Sequence, residues 1–241
     1  MRTRTENVIN QLRDCILRGT YPAGYHLQET PLCAQMNVSR TPVRAALAAL
    51  AAEGLLDYVP KRGYSLRGFS LGEIEASYEI RANLEGMACR LAAERGFSAD
   101  AKRELEETLG WGDAMLAHGR LRDRDQEPWI EMNDRFHRRL IDSSGNRLLV
   151  ELIERTYLVP LVSSRVVHWY DYHAIKASHG LHHRIYGYAR DRQAVNAEAA
   201  MREHVLQAID LIKDRVSEAD TSGNVAMLAV APKAAGGKHA G

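Results

Sequence analysis

The sequence predicts a mainly α chain in two parts: an N-terminal helix-turn-helix with a small β-hairpin wing, and a C-terminal all-α bundle of six or seven helices. Three observations carry this. Apolar residues recur at helical spacing through most of the 241 residues. A strand-like pattern is confined to one stretch, Leu56 to Arg67, around a basic, glycine-containing turn. Charge is also divided. Residues 1–70 hold nine Lys and Arg against five Asp and Glu, a net of +4, and the remainder holds 23 against 26, a net of −3. The overall charge of +1 is a cancellation, and the first part is the one suited to a polyanion.

Val8, Ile9, Leu12, Ile16 and Leu17 place a first helix, with Gly19 as its C-terminal stop. A turn at Tyr21-Pro-Ala-Gly24 follows. Thr30 then reads as an N-cap and Pro31 as the first residue of a short second helix ending near Met36, with Asn37 left-handed at its end. Ser39 is placed to cap a third helix over 40–53, whose stripe is Val43, Ala46, Leu47 and Leu50, and Gly54 ends it. Arg40 and Arg44 lie one turn apart near its N-terminus, where arginines can fork onto guanine edges in a major groove and free N–H groups can meet a phosphate. In the hairpin that follows, Arg62 and Gly63 form a tip able to approach a minor groove closely.

From residue 71 the helical patterns run in sequence: 71–95 (Ile74, Ile80, Leu84, Met87, Leu91), 98–118, 127–143, 146–168, 172–190 and 191–215. Breaks fall at Gly96, near Asp123 to Asp125, at Ser143 to Gly145 and at Arg190-Asp191; Pro160 splits the fourth helix if there are seven. The expected organisation is therefore 1–70, 71–216 and a small-residue-rich, disordered tail over 217–241. With 45% hydrophobic and 26% charged residues the composition is globular, and no apolar run nears the ~20 residues of a bilayer-spanning helix. The N-terminus has no apolar stretch of the kind a secretory signal carries, and Cys15, Cys33 and Cys89 are too scattered for a disulfide frame. Both features point to a cytoplasmic protein with reduced thiols. No phosphate loop, nucleophile elbow or Cys-x-x-Cys pair is present.

Histidine is the residue type that stands out, with eight of ten lying between 118 and 204. Asn133 and His137 are four apart and share a helix face, the spacing by which one helix offers two ligands to one ion. His182 and His204 fall on two further helices in patterns that can turn them inward. One oxygen and three imidazoles would hold a divalent ion of the Zn, Ni or Mn class with positions to spare. Asp134, three residues before His137, is an alternative oxygen ligand, and His183 competes with His182.

Two resemblances sharpen this. Residues 19–63, above all Val38-Ser-Arg-Thr-Pro-Val-Arg44, resemble the winged-helix domain of the GntR family of bacterial transcription regulators. That implies base reading by Arg40 and Arg44, phosphate or base contacts from Ser39 and Thr41, and wing contacts from Arg62 and Gly63. Thr30 stands where some members carry a DNA-contacting arginine. Residues 73–210, through Glu79-x-Arg81-x-x-Leu84-Glu85, Asn133-x-x-Phe136-His137, His182-x-x-Ile185 and Met201-x-x-His204, resemble the FCD effector domain of the FadR subfamily. The resemblance implies a metal held by Asn133, His137, His182 and His204, with Asn133 replacing the more frequent Asp.

The function expected is a homodimeric regulator of double-stranded operator DNA, controlled by a small carboxylate bound at or near the metal. Arg81 is the candidate to neutralise the effector's other end, or else to pair with Glu85 one turn on. The rival expectation is a metal-dependent hydrolase or lyase using the same histidines, with Asp134 or Glu131 as general base.

Overall fold

The structure, a computed structural model, describes residues 3–17, 20–120, 122–159 and 172–219. They fall into two compact units that divide between Leu71 and Gly72. Gly19, Pro160, His168 and the tail beyond Ala219 lie outside the described residues.

The N-terminal unit packs α1 (Arg4–Leu17), α2 (Glu29–Met36) and α3 (Arg40–Ala52) against a small antiparallel sheet. Its core joins Val8, Leu12 and Ile16 of α1, Leu32 of α2, the whole predicted stripe of α3, and Leu27, Leu55, Leu56 and Leu66. Arg13 grips Glu53 with two nitrogens, Nε at 3.0 Å and a second at 2.6 Å, tying α1 to the end of α3. The hairpin pairs β2 (Leu56–Val59) with β3 (Gly63–Leu66), Val59 opposite Gly63, and closes through Lys61 and Gly63, both at positive φ. The predicted hairpin gains a partner that the sequence reading lacks. A two-residue strand, here β1 (His26–Leu27), adds to the other side of β3. Two residues are too few to show an alternating pattern.

The helix-turn-helix also begins earlier than expected. Gln28 is the N-cap of α2, so Thr30 and Pro31 are both inside its first turn and Thr30 is not the cap. Proline is tolerated there because the first four N–H groups of a helix lack intrahelical partners in any case. Asn37 is left-handed as predicted, at φ 51°.

Among the described residues the second unit is helical, with no strand. It comprises α4 (Leu71–Arg95), α5 (Ala99–Leu116), α6 (Gln126–Ser143), α7 (Arg147–Thr156), α8 (Tyr172–Arg190) and α9 (Ala194–Ala219), with a 3-10 turn at Asp123–Asp125 before α6. Ser98 and Asn146 cap α5 and α7 by accepting the backbone N–H three residues on. α9 continues past the expected end at 215. On α4 the buried side differs from the predicted stripe. Ile74, Tyr78, Ala82, Ala88, Cys89 and Ala92 face inward, while Ile80 and Met87 are exposed. The helix has small residues on its packed side and larger apolar ones elsewhere, so periodicity alone could not choose between faces. At Gly86 a Cβ would meet Arg202 Cγ at 2.7 Å, which shows how closely α9 crosses α4.

Candidate metal centre and nucleic-acid interface

In the N-terminal unit, Ser39, Arg40, Thr41 and Arg44 are all exposed at the start of α3. Ser39 occupies the N-cap position with extended backbone, yet its hydroxyl makes no capping bond. Arg44 Nε donates to Glu29 Oε1 at 2.7 Å, so α2 holds the side chain that α3 projects. Arg62 is exposed at the wing tip beside Gly63, whose φ of 86° favours a residue without a Cβ. Thr30 is exposed on α2.

The second unit brings together three of the four predicted ligands. His137 of α6, His182 of α8 and His204 of α9 are buried, and their donor nitrogens lie within 4.8 Å of one another. His204 Nε2 stands 3.0 Å from His137 Nε2 and 3.1 Å from His182 Nε2. Asn133 sits one turn before His137 on the same face of α6 and is half-buried, whereas Asp134 is exposed. His183 does not join the trio; its Nε2 meets Asp113 Oδ1 of α5 at 2.9 Å.

A buried carboxylate sets the orientation of the first imidazole. Glu85 of α4 is fully enclosed and accepts from His137 Nδ1 at 2.6 Å through Oε2. Its other oxygen accepts from Arg81 Nε at 2.5 Å and from the Tyr157 hydroxyl at 2.7 Å. The ion pair with Arg81 weighed from the sequence is therefore formed, and the guanidinium also lies 4.8 Å over the Tyr157 ring. Burial acts to raise the Glu85 carboxyl, but Arg81 and then His137 outweigh it and hold it well below the usual carboxylate range. Glu85 is thus ionised and takes the Nδ1 proton of His137, which turns Nε2 toward the other two rings.

Burial, followed by the neighbouring imidazoles, pushes His182 and His204 well below the ordinary histidine value, so both are neutral at pH 7. His204 Nε2 has a single position for a hydrogen bond, one proton or one lone pair, yet it stands within 3.1 Å of two other ring nitrogens. A cation among the three nitrogens satisfies both short contacts together. Ligands about 2.0–2.1 Å from an ion stand roughly 2.9–3.4 Å apart, which matches the two spacings. The residues present fit a divalent metal.

Glu85 belongs to the site on geometry that the sequence reading reached only as a possible partner of Arg81. Tyr157 was missed, since nothing local marks a residue 72 positions from its acceptor. The general bases an enzyme reading requires, Glu131 and Asp134, are both exposed, and neither joins the trio.

A three-helix unit with a hairpin wing, followed by an all-helical unit with a buried histidine centre, defines a winged helix-turn-helix protein with a helical second domain. The chain matches the model of the bacterial regulatory proteins of the gntR family over residues 4–65 and that of the FCD domain over residues 76–207. It belongs to the GntR family, in the branch that carries an FCD domain. Among curated relatives it is 30% identical to the uncharacterised HTH-type transcriptional regulator YdhC of Bacillus subtilis, over 82% of this chain and 84% of that one. It is 26% identical to the HTH-type transcriptional repressor GlaR of Escherichia coli, over 86% and 94%. Among solved structures, McbR/YncC of Escherichia coli matches with a TM-score of 0.74 at 22% identity, over 89% of this chain and 99% of that one, which shows a shared fold. Among the described residues no helix is long and apolar enough to cross a membrane.

Proposed function

We propose that this chain is a DNA-binding transcription regulator whose operator affinity is set by a small organic acid bound at a metal in the helical domain. The observation that carries the reading is the convergence of three imidazole Nε2 atoms beside an ionised, buried Glu85. His137, His182 and His204 hold the ion, and the half-buried Asn133 supplies an amide oxygen in preference to the exposed Asp134. When bound, a divalent ion of the Zn, Ni or Mn class gives a Lewis-acidic seat for a carboxylate oxygen of the effector.

Arg81 links that seat to its support. An effector carboxylate reaching the guanidinium competes with Glu85, and Glu85 orients His137. Effector capture and ligand geometry are then coupled, and the coupling acts on operator affinity in both directions. Arg40 and Arg44 read bases in the major groove, Ser39 and Thr41 contact phosphate or base edges, and Arg62 enters the minor groove where Gly63 allows close approach. The free Ser39 hydroxyl and the arginines' exposure support this assignment.

The regulator acts as a homodimer, because one recognition helix makes too few contacts for operator affinity and two-fold symmetry doubles them. Exposed apolar side chains on α4 (Ile80, Met87) and α7 (Leu148, Leu152), two helices that share the buried cluster of Ala88, Leu149 and Ile153, support a second copy covering them. The test is thermal unfolding of the full chain, metal-loaded and chelated, across a panel of small carboxylates. A carboxylate that raises the midpoint only in the metal-loaded protein is expected. Equal response with and without metal, or no response to any carboxylate, contradicts the reading.

A further inference from the structure

α8 carries histidines for two places. His182 turns into the buried trio, while His179 and His183, one turn apart on the same helix, converge on Asp113 of α5. Asp113 Oδ1 lies 3.1 Å from His179 Nε2 and 2.9 Å from His183 Nε2, and the three ligand atoms lie within 4.8 Å of one another. Two imidazole nitrogens on one helix and one carboxylate oxygen on the next form a donor set of the kind that borderline divalent ions take. The spacings again match the edges of a coordination shell, roughly 2.9–3.4 Å for ligands about 2.0–2.1 Å from an ion.

The packing is built for this approach. A Cβ on Gly112 would fall 2.3 Å from His179 Cε1, so only glycine at that position lets the ring lie against α5 beside Asp113. His179 Nε2 also lies 3.2 Å from the Leu109 carbonyl, an oxygen that keeps its helical donor if the nitrogen turns to another partner. Access differs from that of the buried trio. The side chains of Asp113 and His183 are 56% and 45% exposed, against 4% for His179. An ion there would be reached directly from solvent and would keep waters in its remaining positions.

We propose that Asp113, His179 and His183 form a second, open divalent-metal site of the Zn, Ni or Co class, weaker and faster to exchange than the buried one. The two sites share α8, with the His179 and His182 rings 5.7 Å apart and perpendicular. An ion at the outer site would tie α8, the helix that carries His182, to α5. The outer site needs none of the trio's ligands, so it stands or falls separately from the proposed function.

The test is Co2+ titration of the full chain after chelation and desalting, read as bound equivalents and as visible absorption. His183→Ala and Asp113→Ala alter exposed side chains, and each is expected to bind one equivalent fewer than the parent. His137→Ala with His204→Ala is expected to keep the equivalent that His183→Ala loses. Equal metal content in the parent, His183→Ala and Asp113→Ala overturns the outer site. Loss in the outer variants with none in the trio double variant supports the outer site and counts against the buried one.

Discussion

Glu85 Oε2 lies 2.6 Å from His137 Nδ1, in a position closed to solvent, and the same carboxylate is ion-paired with Arg81 four residues before it. A second residue thus decides which nitrogen of the first is available. Carboxylate–imidazole contacts of this kind fix the ring and its tautomer and make the far nitrogen a better ligand.

Glu85→Gln keeps the shape but removes the charge that holds the His137 proton. Metal affinity is expected to fall on the order of 10- to 100-fold, measured by competition with a chelator of known affinity. Glu85→Ala is harsher, because Arg81 is left buried without its counter-charge, and is expected to lower stability by about 3–5 kcal/mol. Unchanged metal affinity in Glu85→Gln counts against the orienting role.

Gly112→Ala forces the His179 ring or α5 to shift, since the added methyl overlaps the ring. Overpacking of this kind is expected to cost about 1–3 kcal/mol, read from denaturant unfolding. A variant as stable as the parent would show that His179 moves aside freely.

The metal-free protein should lose stability as pH falls toward 5. His182 and His204 take up a proton less readily when folded, so below about the ordinary histidine value of 6.5 the unfolded chain binds more protons and is favoured. Glu85 acts in a separate window. Its carboxyl is held low in the fold, so its contribution is present above the ordinary value of 4.5 and is lost only as pH falls below it. Unfolding midpoints followed through both windows check this; a flat profile across the histidine window contradicts the neutral, buried assignment.

Arg44 and Glu29 make a second linked pair. Arg44→Ala is expected to weaken operator binding on the order of ten- to hundredfold and to relax selectivity at one base position in each half-site. Glu29→Ala leaves the arginine but removes the acceptor that holds it at 2.7 Å, so selectivity should loosen with less loss of affinity. Binding to operators altered one base pair at a time separates the two, and selectivity unchanged in Arg44→Ala removes it as a base reader.

The longer helices were legible from their period: the α3 stripe of Val43, Ala46, Leu47 and Leu50 is wholly buried, and the breaks at Gly96 and Arg190-Asp191 are where helices end, whereas α7 stops at Thr156 and not at 168. β1 was not legible, since two residues carry no period, and the α2 start slipped because proline fits anywhere in a first turn. At the site, the i, i+4 pair Arg81–Glu85 could be read locally, but which neighbours close around it could not. Tyr157 and Asp113 reach their partners from distant helices, and only the packing of those helices brings them in.

In the proposed function a carboxylate at the buried histidine centre controls DNA binding. The most direct measurement is operator affinity of the metal-loaded full chain, with and without a carboxylate that stabilises it, beside the His137→Ala, His204→Ala double variant. The carboxylate is expected to shift operator affinity on the order of 5- to 150-fold in the parent and not at all in the variant, which binds no metal at the trio. An equal shift in both, or none in the parent, would contradict the proposed function.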